Sequence, residues 1–434
     1  MIICPDWLVT SAEEATAATA IRVVDGLVER VGAASQLIAQ FPEDEVIDAS
    51  GCAVLPGFVN THVHLYGTLA HGIVIETPPT GFESFLDDYW WPQVEDRLDQ
   101  QMISAASEWV CAEMLRTGTT TFFDICEAPG ALSGVLEAEA EQSRRAGLRG
   151  IFSFEATERA GAHIAELSLR ENLDFIDNHQ DDDLVSGAMS WHTVFTCSSD
   201  FIERAATEAR SRNTWFHAHC NEGTHEGNWA REHLGRDTMA FYRDLGIASS
   251  QFLASQCVQM SQDELDIIAA TGTRVSHMPL SNCEVGGGIA PISELQAKGV
   301  TVGLGTDGYV NDMYEVMRGA FWLQKARLLD PSTMPAHQVL HMATEGGASA
   351  LGIDLLGRLD SGWIADLQIV SLDLPTPIDS TTIADQLVLW RSGNHVRDVM
   401  VAGKWRVRNG EVLGVDVERS RARVQEEASR LWGR

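Results

Sequence analysis

Short apolar runs alternate with amphipathic stretches along most of the chain, the pattern of strands buried on both faces and separated by helices. Eight runs can be read this way: FVNTHVH, TTTFFDI, LRGIFSF, SGAMSWHTVF, TWFHAHC, FLASQCV, GTRVSHM and VTVGLGTD. Eight is the number a closed parallel barrel needs. Intervening segments such as MISAASEWVCAEMLRTG and DFIERAATEARSRN carry Ala and Leu and end on basic residues or Gly, as helices do. The pattern changes at the two ends of the chain. Residues 1–55 (IRVVDGLVERVG, EVIDASGCAVLP) and 363–418 (WIADLQIVSL, VRDVMVAGKWRV, NGEVLGV) read as short strands between turns. Neither end is long enough for a sheet domain alone, so they are expected to pair. The expected fold is α/β: a (β/α)8 TIM-like barrel over 56–362, a small composite β-sandwich from both termini, and a C-terminal helix over 419–434.

Composition changes this picture little. The chain is 44% hydrophobic and 21% charged, ordinary for a globular protein, and no apolar stretch approaches the roughly 18 residues of a membrane span. The start MIICPDWLVTSAEEATAA has neither the basic region nor the apolar run of a secretory signal, so a cytoplasmic location is expected. Sixty-two acidic against 31 basic residues give a net charge of −31. That charge repels phosphate backbones and anionic lipid, so the expected partner is a small-molecule substrate, not nucleic acid or membrane. The eight cysteines include no C-x-x-C pair and read as reduced thiols.

The chemistry lies at the C-terminal ends of the predicted strands, where barrel enzymes place it: His62 and His64, His192, His219, His277 and Asp307. In His-x-His both imidazoles leave a strand on the same side, so one strand can give two ligands to one cation. FHAHCNEG adds His219 and Glu222, three residues apart where a strand becomes a loop. A carboxylate there could pass a proton from activated water to a leaving group, or simply orient a histidine. His217 points the same way as His219 and is the alternative ligand. Asp307 precedes a glycine, where a plain turn or cap is the competing reading. Three histidines and a carboxylate suit a divalent metal.

With these motifs in view, the chain resembles the amidohydrolase superfamily, in its cytosine deaminase and atrazine chlorohydrolase-like branch. VLPGFVNTHVHLYG, EMLRTGTTTFFD, WHTVFTCS, HAHCNE, VSHMPLSNCEVGGGIAP, GLGTDG and GRLDSGWIADLQIVSLD follow in order along nearly the whole sequence. The resemblance implies metal ligation by His62, His64, His219 and Asp307, with Glu222 as proton shuttle. It places His192 and the segment around His277 in the substrate pocket, and suggests a homodimer or higher homo-oligomer. Some superfamily members bridge two metals with a carboxylated lysine on the fourth strand. The only lysines here are Lys298, Lys325 and Lys404, none near WHTVFTCS, so one divalent ion is expected. Zinc is the first choice, and iron, manganese, nickel or cobalt accept the same ligands.

One departure stands out. Deaminases of this branch read His-Cys-Val at the end of the sixth strand; this chain reads SQCVQM and places Gln256 there. A glutamine amide can donate to a reacting oxygen but cannot carry a proton near neutral pH. The expected function is hydrolysis of a C–N bond in a small molecule, as deamination of a purine, pyrimidine, pterin or triazine. Glu222, Asp307, Gln256 and His277 form the expected catalytic set. His192, Trp90, Trp91, Asn282 and Tyr309 are expected against substrate, with Asp312 a further candidate. Gln256 keeps open an amide, urea, carbamate or C–halogen hydrolase of the same fold, and a non-catalytic barrel relative is the remaining alternative. Zinc deaminases of the non-barrel type need Pro-Cys-x-x-Cys, which the sequence lacks.

Overall fold

The computed structural model describes residues 1–75 and 77–433. Glu76, in the long loop after the first barrel strand, and Arg434, the end of the expected C-terminal helix, lie outside the described residues. Each of the eight apolar runs falls on a strand: β1 (Phe58–Val63), β2 (Thr119–Cys126), β3 (Arg149–Ala156), β4 (Met189–Trp191), β5 (Phe216–Cys220), β6 (Phe252–Gln256), β7 (Arg274–His277) and β8 (Val302–Leu304). They pair in chain order, all parallel. At the seam between β8 and β1 the amides of Thr306 and Asp307 both donate to the His62 carbonyl at 3.0 Å. A Cβ on Gly305 would come within 2.9 Å of both the His62 Cβ and its carbonyl oxygen, so only glycine lets the seam draw this tight.

The barrel strands are buried on both faces because helices cover the outside, which is why they read as continuous apolar runs. The two helical segments singled out in the sequence are helices Gln100–Arg116 and Ser199–Ser211. Each starts on a side-chain cap: Asp99 accepts from the amides of Gln101 and Met102, and Ser198 from that of Phe201.

The chain ends meet in one nine-stranded sheet, continuous rather than split into two layers of separate pairing. Leu367–Ser371 runs antiparallel to Val46–Pro56, with Leu367 opposite Pro56 and Ser371 opposite Cys52. This sheet has its own apolar core, in which Ile3, Leu8, Ile21, Val54, Leu367 and Met400 are fully buried. The C-terminal helix Val417–Leu431 lies against Gln100–Arg116, with Arg430 paired to Asp99 at 2.6 Å. Just beyond it the Trp432 indole donates to the Leu69 carbonyl at 2.8 Å, so the chain end braces the loop that follows β1. Among the described residues no helix is long and apolar enough to cross a membrane.

Candidate metal centre

His62, His64, His219 and Asp307 converge from β1, β5 and β8, with one donor atom of each lying within 4.8 Å of the others. All four are at least nine-tenths buried. His62 Nε2 and His64 Nε2 are 3.3 Å apart, and Asp307 Oδ1 lies 2.9 Å from the first and 3.4 Å from the second. Donors around a tetrahedral zinc ion at about 2.0–2.1 Å are themselves about 3.3–3.4 Å apart, so the spacing fits a cation. The hydrogen bonding points the same way. His64 Nδ1 donates to the Ile125 carbonyl at 2.6 Å, which fixes its proton there and leaves the Nε2 lone pair facing the cluster. Burial pushes the His64 and His219 imidazoles down to about 4, so both are neutral at pH 7, the form in which a histidine can bind a metal. Asp307 Oδ1, buried and without a hydrogen bond, therefore faces imidazole lone pairs, an arrangement that a cation at the centre satisfies. Burial works to raise the Asp307 carboxyl, but His62, His64 and His219 together outweigh it and hold it far below the usual carboxylate range.

Side chains behind these donors orient them. His217 is not turned to the centre: its Nε2 lies 3.2 Å from His62 Nδ1, and its Nδ1 lies 2.9 Å from Ser190 Oγ. His219 Nδ1 lies 2.7 Å from the Glu155 carboxylate, though off hydrogen-bond angle. The far oxygen of Asp307, Oδ2, accepts from Gln256 Nε2 at 3.2 Å and from the Ser281 hydroxyl. One N–H of the Gln256 amide is thus engaged by Asp307, and its Oε1 is buried without a partner among the described residues. Gln256 (φ 68°), Cys257 (φ 50°) and Asp307 (φ 61°) all lie in the left-handed region, each at a cost of about 1–3 kcal/mol. Backbone bonds from Cys257 to Cys220 (2.9 Å) and from Asp307 to His62 hold the turns that carry these side chains.

Beside the centre is a cavity of about 50 Å³ whose wall includes His64, His219, Glu222, Asp307, Glu155, His192, Trp90, Trp91 and Tyr309. Burial, followed by the nearby Asp307, Glu155 and Glu226 carboxylates, pushes Glu222 well above the usual carboxylate range. His192 is braced by Thr196 (Nδ1 to Oγ1, 2.9 Å) and packs edge-on to Trp91. An adjoining cavity of about 700 Å³ opens outward and shares Phe85, Trp90, Val285, Asp307 and Tyr309 with the inner one. His277 and Asn282 do not line either cavity among the described residues; both are buried, and neither side chain has a hydrogen-bond partner. Asp312 caps helix Met313–Leu328, accepting from the Tyr314 amide, and also accepts from Gly393.

Sequence reading missed Glu155, Ser190, Ser281 and the Tyr66–Glu95–Arg159–Glu127 network under the inner cavity. In that network Tyr66 and Arg159 donate to Glu95 at 2.8 and 3.0 Å, and Arg159 also reaches Glu127 at 2.5 Å and Asp96 at 2.8 Å. Glu155 had a signal, a lone carboxylate within the apolar run FSFEA.

Known proteins resemble the chain over most of its length. The model of the amidohydrolase family matches residues 53–406. The chain is 30% identical over 413 residues to a 5-methylthioadenosine/S-adenosylhomocysteine deaminase of Syntrophobacter fumaroxidans, covering 94% of this chain and 92% of that protein. It is 32% identical over 389 residues to a 5'-deoxyadenosine deaminase of Methanothermobacter thermautotrophicus, covering 88% of each. The fold superposes with a TM-score of 0.90 on a zinc-bound adenosine deaminase from Xanthomonas campestris, at 24% identity, over 100% of this chain and 98% of the other. With a family match across most of its length, the chain belongs to the amidohydrolase family.

Proposed function

We propose that the protein deaminates an aminated nitrogen heterocycle by hydrolysis, using one divalent cation, zinc by preference, held by His62, His64, His219 and Asp307. The observation that carries this reading is the buried four-donor cluster, in which the Asp307 Oδ1 faces histidine nitrogens at 2.9 and 3.4 Å. Relatives named as adenosine-type deaminases, similar over about nine-tenths of the chain, support the substrate class. When bound, the cation lowers the pKa of water toward neutrality and polarises the carbon under attack.

The chain's own residues do the rest. Glu222, in the cavity wall next to Asp307, takes a proton from the attacking water in its ionised form and returns it to the departing nitrogen. Gln256 and Ser281 grip Asp307 Oδ2 and so keep Oδ1 turned to the cluster. His217, backed by Ser190, orients His62, and Glu155 faces His219 from behind. His192, Trp90, Trp91 and Tyr309 line the space where a flat ring would sit.

Gln256 also supports a second reading, an amide or C–halogen hydrolase, because no histidine at that position carries a proton. The test is ammonia release from a panel of aminopurines, aminopyrimidines, pterins and aminotriazines by metal-loaded protein. Ammonia from any member upholds the deaminase reading. Silence from fully loaded protein, with turnover of an amide or halide, replaces it with the second.

A further inference from the structure

The outer cavity shows what kind of substituent the heterocycle carries. Its volume of about 700 Å³ exceeds the need of a single ring, since cavities of about 300–1,000 Å³ hold drug-sized ligands. Its wall is mixed: Ile73, Ile75, Phe85, Trp90, Val285 and Tyr309 share it with His71, Thr80, Glu284 and Asp307. Among the described residues, no lysine or arginine lines this cavity or the inner one. The cation nearest the inner cavity, Arg159, is already held by Glu95, Asp96 and Glu127, so it has no charge to spare. Lys298 is paired with Asp266 at 2.6 Å, and Lys325 donates to backbone carbonyls of Pro331 and Met334. His71, at the cavity wall, has its Nε2 on the Gly308 carbonyl at 2.7 Å. The acidic groups that border the two cavities are Glu95, Glu155, Glu222 and Asp307 at the inner one and, at the outer rim, the exposed Glu284.

We propose that the substrate carries its amino-heterocycle on an uncharged substituent, and that substituents bearing phosphate or a free carboxylate are excluded; this rests on the deaminase reading and sharpens it. An anionic substituent in the outer cavity would shed its hydration with no lysine or arginine to replace it, would face the rim carboxylate Glu284, and could reach the metal-site charge only at the inner end, where the heterocycle itself sits. The net charge of −31 adds repulsion at encounter that salt would relieve. An uncharged arm meets neither penalty.

The test uses two isosteric pairs that differ by one charge: adenosine 5'-carboxamide with adenosine 5'-carboxylate, and a diaminotriazine bearing an acetamide arm with the same triazine bearing an acetate arm. Calorimetric titration of the metal-loaded protein gives affinity, and ammonia release is followed separately. The amide of at least one pair is expected to bind at least about tenfold more tightly than its carboxylate. In Glu284→Lys, at the exposed rim, that gap should shrink at least about threefold. Equal or tighter binding of the carboxylate overturns the proposal, as does failure of both pairs to bind. Tight binding of the amides without ammonia would refute the deaminase reading while leaving the charge preference standing.

Discussion

The division of labour between His219 and His217 gives the sharpest mutational prediction, because the sequence alone offers either as the ligand. His219 is one of four convergent donors; His217 stands behind His62, its Nε2 3.2 Å from the His62 Nδ1 and its Nδ1 2.9 Å from Ser190. Removing an orienting partner of this kind costs roughly 10–100-fold in metal affinity, or about 1.4–2.7 kcal/mol. Removing a ligand breaks the donor set itself and leaves the buried Glu155 carboxylate without the imidazole it faces at 2.7 Å. His217→Gln is therefore expected to keep one metal per chain after gel filtration, with the affinity read by chelator competition falling about 10–100-fold. His219→Ala is expected to lose the metal under the same conditions, with near-native secondary structure by circular dichroism. A metal-free His217→Gln beside a fully loaded His219→Ala would refute the reasoning and move the ligand role to His217.

Three further outcomes follow from the geometry. Glu222→Gln should retain metal and lower kcat about 10²–10⁴-fold, as loss of a proton shuttle does; an unchanged kcat would remove Glu222 from proton transfer. Gln256→His should retain the fold, since histidine tolerates the left-handed backbone there, and add a new ionisation to the kcat profile between pH 5 and 8; a profile identical to that of the native protein would leave position 256 with a purely orienting role. Burial pushes the His277 imidazole down to about 3 from an ordinary value of about 6.5, so below pH 6.5 the unfolded chain takes up a proton that the folded one refuses. The stability present above pH 6.5 is lost progressively as pH falls toward 3, about 2 kcal/mol of it by pH 5. Urea melts at pH 7 and pH 5 should show a loss smaller by about that amount in His277→Gln, and equal losses would contradict the assignment.

Much of this was legible in the sequence. All eight barrel strands fall on the apolar runs, with only Thr119–Cys126 and Arg149–Ala156 continuing past the run's end, because a strand buried on both faces carries an unbroken apolar signal. The pairing of the chain ends was also readable, since neither end could bury a sheet alone. In the site, period-two alternation places His62 and His64 together, and a glycine turn marks Asp307. Other features depend on distances between segments remote in sequence. Ser190 matters because it meets His217, and Ser281 because it meets Asp307, and neither serine differs in sequence from any other. The direction of the Gln256 amide was likewise unreadable, since it is set by the Asp307 carboxylate. His277 and Asn282 show the converse: their position in a family-like motif suggested the pocket, whereas their side chains are buried outside the lining of both cavities.

The central claim, hydrolysis by one cation at the His62–His64–His219–Asp307 cluster, is tested most directly by stripping the protein with a chelator and titrating zinc back while following ammonia release from its best aminated heterocycle. The account predicts no ammonia from the stripped protein and a linear rise that breaks at one equivalent per chain. Full activity without metal, or a break at two equivalents, would contradict it.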